Sequence, residues 1–207
     1  MTKTVSTVLL AGSIGVVAAR QLTPPASWRV RSDAPPEKPI YYVEMPPGWH
    51  ITTGPGSILH DPAYLAEGRF ALETEIFLFP GTSQEGYGLF AGGKQLDADP
   101  AYVAFLLRRD GSAAIESRAG GKSTPVRGWE RHEAVKPGDG REPVANVLRV
   151  VAEALEVTFE VNGKPVLTVP RADVSLDGAF GFRAGADVNL HASRLDVTRL
   201  LAPPRRR

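Results

Sequence analysis

The stretch "LEVTFEVNGKPVLTVP", residues 155–170, decides the fold class of this chain. Apolar and polar residues alternate from Leu155 to Val161, and alternation resumes after the pair Asn162-Gly163. A period of two predicts a β-strand, and Asn-Gly accepts the positive φ angles of a two-residue type I′ turn. The stretch therefore predicts a β-hairpin.

The same period of two runs through the chain from Gly48 onward. Candidate strands outside the hairpin have the sequences WHITTG, SILHD, RFALETEIFLF, GYGLFAGG, YVAFLLRR, SAAIESR, STPVRGWE, VANVLRVVAEA, GAFGFRAG and VNLHASRLDVTRL. Together they make about twelve strands, with turns about every 8 to 12 residues. Valines in residues 144–161 argue against a helix there, because β-branched residues favour strands. We predict an all-β fold, an antiparallel sandwich of two sheets.

The segment Arg69 to Phe79 is one of the longest candidate strands. One face would carry Phe70, Leu72, Thr74, Ile76 and Leu78, and the other Ala71, Glu73, Glu75, Phe77 and Phe79. Since both faces are partly apolar, this strand is predicted to lie in the middle of its sheet.

Composition excludes several classes of function. The 207 residues include 24 basic and 23 acidic side chains, a formal net charge of +1, and no cysteine. The absence of cysteine excludes disulfides, thiolate metal sites and a cysteine nucleophile. A nearly neutral chain has no overall field to attract nucleic acid, so no nucleic-acid partner is expected.

The N-terminal part of the chain suggests export. Lys3 precedes Val5 to Ala19, an uncharged and mostly apolar run of about 15 residues, where a membrane span needs roughly 20. We interpret residues 1–19 as a signal peptide or an N-terminal anchor, and we expect a periplasmic, secreted or cell-surface protein. Membrane contact is expected only through this segment if it is not cleaved.

The rest of the chain divides by composition. Residues 20–47 are rich in proline and are interpreted as a linker, in which Ser27 to Ser32 could pair as a short edge strand. Residues 48–202 form the predicted β-domain, and residues 203–207 a basic tail. The sequence leaves the oligomeric state open.

The order of features in the C-terminal half resembles a known superfamily. An N-x-L-R-V strand starting at Asn146, the hairpin V-x-F-x-V-N-G, and then G-x-F-G-F from Gly178 precede a last strand. This order resembles the concanavalin A-like lectin/glucanase jelly rolls, above all the laminin-G-like and 3-keto-disaccharide-hydrolase-like domains of exported bacterial proteins. The resemblance covers roughly residues 48–201 and implies a jelly-roll sandwich with carbohydrate as a candidate partner.

A ligand-binding face can be proposed from strand alternation. In residues 102–109, Val103, Phe105 and Leu107 form the better core face, which turns Tyr102 and Arg108 toward a concave surface. Aromatic rings with one polar end, together with planar guanidinium groups, are suited to contact sugars. The predicted binding residues are Tyr102, Arg108, Arg149, Arg183, Tyr87 and Trp129. No catalytic residue is assigned, and the expected function is non-catalytic recognition of a carbohydrate or glycoconjugate.

Two other functions remain open. Glu73 and Glu75 lie two apart on one strand face, roughly 6.5 Å at the backbone. That spacing suits a glycoside-active hydrolase or lyase with a histidine as partner, although the E-x-D-x-x-E strand of the family glucanases is absent. The proline-rich leader and the three terminal arginines would suit a protein-interaction or structural module instead.

No metal site is evident from spacing. The four histidines, His50, His60, His132 and His191, lack the short-spaced partners of a zinc site. The resemblance implies calcium as a candidate cofactor, because many of these jelly rolls hold a calcium ion at the rim. Oxygen ligands for it could come from Asp97, Asp99, Asp177 and Asp187.

Overall fold

The computed structural model of the protein describes residues 26–37 and 40–200. The predicted signal peptide or anchor, residues 1–19, and the basic tail, residues 203–207, lie outside these described residues. No helix in the part of the chain described is long and apolar enough to cross a membrane.

Fourteen strands make up almost all of the regular structure in the described ranges. In chain order they are β1 (Arg29–Ser32), β2 (Tyr41–Glu44), β3 (Trp49–Thr52), β4 (Ser57–Ala66), β5 (Phe70–Leu78), β6 (Tyr87–Lys94), β7 (Ala101–Leu107), β8 (Ser112–Ala119), β9 (Lys122–Arg131), β10 (Val144–Ala152), β11 (Glu156–Val161), β12 (Lys164–Pro170), β13 (Gly178–Ala184) and β14 (Asn189–Arg199). A single 3₁₀ turn, Arg171–Asp173, follows β12.

The strands form two antiparallel sheets of seven. The first sheet has the order β1-β4-β13-β6-β7-β8-β9, and the second has the order β12-β11-β10-β5-β14-β3-β2. Sequential strands pair as hairpins from β2 to β3, from β6 to β9 and from β10 to β12. Strands β13 and β14 return from the end of the chain to the middle of the first and second sheets. The predicted all-β antiparallel sandwich is confirmed.

The core lies between the two sheets. Phe105 of the first sheet meets Phe159 of the second, with ring centroids 5.3 Å apart. Strand β5 lies between β10 and β14 and buries its apolar face completely at Phe70, Leu72 and Ile76. The alternation of apolar and polar residues therefore correctly predicted that this strand lies in the middle of its sheet.

The hairpin β11–β12 has the predicted turn. Asn162 has φ 51° and Gly163 has φ 77°, the left-handed values that Asn and Gly adopt at least cost. The Asn162 side chain also accepts a hydrogen bond from the Val147 backbone (2.9 Å) and donates to the Ala134 carbonyl (2.7 Å). The turn is therefore tied to the loop between β9 and β10.

The predicted linker, residues 20–47, needs correction. Ser27 to Ser32 does pair, as β1 on the edge of the first sheet, and β2 forms the opposite edge of the second sheet. Trp28 is buried in the main core, where its ring lies 5.7 Å from that of Phe182. The sandwich therefore begins about twenty residues before Gly48. Burial of the Trp28 indole and the pairing of two short edge strands stabilise this segment, although the prolines around them disfavour regular structure.

Candidate functional site

The outer face of the first sheet has an apolar layer of its own, separate from the main core. We call it the outer apolar layer; it consists of Ile58, Phe90, Leu96, Tyr102, Ala104, Leu106 and Ala179, with Trp129 packed against it. These side chains alternate along their strands with those of the core. Both faces of β6 and β7 are consequently buried, although only one faces the second sheet.

Ion pairs that cross this outer face show that it is concave. Asp33, directly after β1, lies 2.5 Å from Arg183 on β13 and 3.1 Å from Arg118 on β8. Strands β1 and β8 are five positions apart, about 24 Å in a flat sheet, more than the two side chains can span. The sheet must therefore curve toward its outer side, and we call these three residues the arginine bridge.

The arginine bridge lies beside Tyr102. Burial raises the pKa of the Tyr102 hydroxyl, while the nearby charges of Arg183 and Arg118 oppose that rise. The Tyr102 ring lies 5.3 Å from the ring of Phe90. Both rings are buried, so the middle of the concave face is a packed aromatic layer with guanidinium groups beside it.

A depression of about 480 Å³ opens on the same face, between β1, β4 and the β6–β7 loop. Its lining residues are Arg29, His60, Pro62, Gly93, Gln95, Leu96, Asp97, Ala98 and Ala179. Its volume falls within the range of about 300–1,000 Å³ that is usual for small-ligand sites. Arg29 and Asp97 form an exposed ion pair of 2.6 Å at this site.

His60 is the buried polar group of this depression. Its side chain is 4% exposed, and its Nδ1 has no hydrogen-bond partner among the described residues. Burial lowers the pKa of His60, so the imidazole is neutral at pH 7 and can donate from one nitrogen and accept at the other. Gln95, whose amide can do both as well, is exposed and has φ 52°.

The opposite end of the concave face carries a stacked pair. The guanidinium carbon of Arg108 lies 3.7 Å from the centre of the Trp129 ring. A cation held over an aromatic face is attracted by the ring, and Trp is the strongest partner for it. Arg108 therefore covers the Trp129 ring face, which a stacked ligand would otherwise use.

The structure brings together four of the six predicted binding residues. Tyr102, Arg108, Arg183 and Trp129 all lie on the concave face, where Tyr102 is buried in the outer apolar layer. The other two need correction. Tyr87 is 1% exposed inside the main core, where burial raises the pKa of its hydroxyl to about 12. Arg149 lies on β10 in the opposite sheet, paired with Glu73 and Glu160.

Residues absent from the predicted set also line the site. Asp33 and Gln95 lie in loops, where no periodicity indicates which way a side chain points. Arg118 and His60 lie on strands, but whether a strand face is core or outer depends on which strands are its neighbours. Arg29 and His60 are register partners across β1 and β4, a pairing visible only in the folded sheet.

The two glutamates of the hydrolase alternative lie on the second sheet. Glu73 lies 2.6 Å from Arg194 and 3.6 Å from Arg149, so it takes part in a network of ion pairs. Glu75 accepts a hydrogen bond of 2.8 Å from the Ser193 hydroxyl. They share one strand face, as predicted, on the side of the molecule away from the depression.

The aspartates considered for calcium are dispersed. Asp97 pairs with Arg29, and Asp177 pairs with Arg171 at 2.6 Å. Asp187 lies at a turn with φ 54°. Within residues 26–37 and 40–200, no three histidine, aspartate or glutamate side chains are grouped so as to hold a metal ion.

Several solved structures share this fold at low sequence identity. A carbohydrate-binding module of Bacillus subtilis, CBM66, aligns over 86% of this chain and 96% of its own, with 12% identity and a TM-score of 0.61. A Bacillus subtilis protein of unknown function with a galectin-like fold aligns over 83% and 89%, with 13% identity and a TM-score of 0.59.

A third similar structure belongs to a larger protein. GH43B of a Bacteroides ovatus xyloglucan locus aligns over 87% of this chain but only 38% of its own, with 16% identity and a TM-score of 0.55. No protein-family model and no curated protein matches the sequence. The comparisons confirm the concanavalin A-like jelly-roll sandwich that the C-terminal half predicted.

Proposed function

We propose that this protein is a non-catalytic carbohydrate-binding module that binds glycans on the concave outer face of the first sheet. One observation carries the proposal: a depression of about 480 Å³ on this face combines neutral and charged hydrogen-bonding groups with the apolar side chains of Pro62, Leu96 and Ala179. Sugars present both hydroxyls and apolar C–H faces, and a site of this composition can satisfy both.

The depression offers both hydrogen-bond donors and hydrogen-bond acceptors, and recognition of a hydroxyl group uses both. His60 and Gln95 each offer a donor and an acceptor, Arg29 offers only donors and Asp97 only acceptors. A sugar hydroxyl donates one hydrogen bond and accepts others, so it can engage groups of both kinds. The solved carbohydrate-binding module with this fold supports the same role for this chain.

An exported location would suit this role, because a secreted or surface protein meets the glycans of cell walls. The apolar run from Val5 to Ala19 supports export, as argued from the sequence. Export is part of the proposal.

The test is a glycan array with the full chain, followed by calorimetric titration of each glycan that binds. Gln95→Gly accepts the positive φ and removes the exposed side chain with its amide, so we expect roughly a 5- to 10-fold loss of affinity, the worth of about one hydrogen bond. Arg149→Gln on the opposite sheet is the matched control and should bind like the wild type.

Two results would contradict the proposal. Loss of affinity in Arg149→Gln, with Gln95→Gly binding like the wild type, would place the site on the second sheet. New reducing ends on the bound glycan after prolonged incubation would show turnover, and would return Glu73 and Glu75 to consideration as catalytic residues.

A further inference from the structure

The arginine bridge places one carboxylate against two guanidinium groups from opposite sides of the concave face. Asp33 Oδ2 lies 2.5 Å from Arg183 Nη2, and Asp33 Oδ1 lies 3.1 Å from Arg118 Nη2. Over the described ranges, Asp33 is the only carboxylate within 4 Å of either arginine. Arg118 contacts both carboxylate oxygens, because its Nη1 also lies 3.3 Å from Asp33 Oδ2, the oxygen that Arg183 contacts.

The positive charge at this site exceeds the negative charge. The side chains of Arg118 and Arg183 are only 19% and 13% exposed, so water compensates their charge poorly. Arg118 Nε and Arg183 Nη1 are buried and have no hydrogen-bond partner in the described structure. Two largely buried cations thus share one anion, and donor groups of both remain unused.

A third arginine adds to the excess. Arg31 lies in the same cross-strand row as Arg183, with Ile58 between them. Its guanidinium donates 2.9 Å to the Ala98 carbonyl, a neutral acceptor at the rim of the depression. A second anion placed along this row would be attracted by three guanidinium groups.

We infer that Asp33 occupies the place of a ligand carboxylate, and that the ligand is an acidic sugar, a uronate. This inference rests on the proposed function and specifies its ligand class. Binding would exchange one carboxylate for another on Arg118 and Arg183, with Asp33 moving into solvent at the end of β1. The sugar ring would extend into the depression, where His60 and Gln95 would meet its hydroxyls.

If Asp33 competes with the ligand, removal of its charge should strengthen binding. An internal competitor lowers the apparent affinity of a ligand by the fraction of molecules in which the site is free. Asp33→Asn removes the competing charge while keeping the shape of the side chain. The variant should therefore bind uronates more tightly than the wild type, whereas loss of an ordinary binding residue would weaken binding.

The experiment measures binding of the full chain to polygalacturonate and polyglucuronate, and to the same polymers after their carboxylates have been reduced to primary alcohols. We expect the wild type to prefer the acidic forms, Asp33→Asn to bind them about tenfold more tightly, and Arg118→Gln to bind them at least tenfold more weakly. Glu133→Gln, which removes a distant exposed ion pair with Lys164, is the matched control and should change nothing.

The outcomes separate this inference from the proposed function. If glycans bind but the reduced polymers bind as well as the acidic ones, or Asp33→Asn does not gain affinity, the uronate inference is overturned and the proposed function stands. If poly-L-glutamate binds as tightly as the uronates, the site takes carboxylates from peptides and the sugar class is overturned. If no glycan binds to any variant, both fail.

Discussion

Asn162 makes two contributions to the fold, one through its backbone and one through its side chain. Its backbone makes the turn of the β11–β12 hairpin, and its side-chain amide donates to the Ala134 carbonyl and to Asn146 Oδ1 (2.8 Å). Asn146 is completely buried and in turn accepts a hydrogen bond of 2.9 Å from the Lys136 backbone. The turn residue therefore satisfies buried groups of a loop that is distant in sequence.

We predict that Asn162→Gly destabilises the protein by about 1–3 kcal/mol. Glycine accepts the positive φ at least as well as Asn, so the loss reports the side-chain hydrogen bonds together with the greater backbone freedom of glycine in the unfolded chain. Denaturant unfolding measures it. Leu155→Ala, at a position 86% exposed just before the hairpin, is the control and should leave the unfolding midpoint unchanged. A midpoint equal to that of the wild type in Asn162→Gly would show that the amide contributes no net stability.

At the scale of elements, the short edge strand β1 and the residue before it contribute more to the packing of the core than the length of four residues indicates. It pairs with β4 along its full length, and Trp28 just before it packs on rings from both sheets. Trp49 lies 5.0 Å away on the second sheet, and Phe182 lies on the first. The segment closes one end of the core, and its last residues lead directly to Asp33.

We predict that Trp28→Ala costs about 3–5 kcal/mol, as is usual for removal of a buried aromatic side chain. A fragment that begins at Gly48, the boundary suggested by composition, should for the same reason fail to show a cooperative thermal transition. Val197→Ala, 47% exposed on β14, serves as the control and should shift the unfolding free energy by less than 0.5 kcal/mol, as an exposed site does. Stable folding of the fragment would contradict the placement of β1 within the domain.

At the scale of the whole molecule, the two sheets share one core but have different outer faces. The first sheet curves around an apolar layer bordered by arginines, and the second carries ion pairs such as Glu73 with Arg194. Because the core is continuous, contacts such as that of Phe105 with Phe159 couple the two sheets energetically. The proposed binding face and the stability of the sandwich thus depend on different layers of the first sheet.

A double-mutant cycle tests this arrangement. Phe105→Ala and Phe159→Ala should each cost about 3–5 kcal/mol, with a coupling energy of about 0.5–1.5 kcal/mol from the edge-to-face ring contact. Phe90→Ala with Phe159→Ala should be additive, since Phe90 lies on the other side of the first sheet. Coupling in the second pair, or none in the first, would contradict the separation of the two layers.

The sequence by itself determined the fold class, most strand positions and the turn at Asn162. These depend on neighbours along the chain: the period of two, the placement of β-branched residues and the backbone freedom of Asn and Gly. The same local rules assigned Val103, Phe105 and Leu107 to the core, and they placed Tyr102 of β7 and Arg108, which follows β7, on the other face.

Only the tertiary structure decided which side chains share a site. Tyr87 and Arg149 alternate along their strands as the other predicted residues do, yet one faces the core and the other lies on the opposite sheet. Strand order and curvature bring Asp33, Arg118 and Arg183 together across 85 and 150 residues of chain. The physical reason is that alternation fixes a residue's face within its own strand, while sheet partners and sheet curvature depend on contacts between residues far apart in sequence.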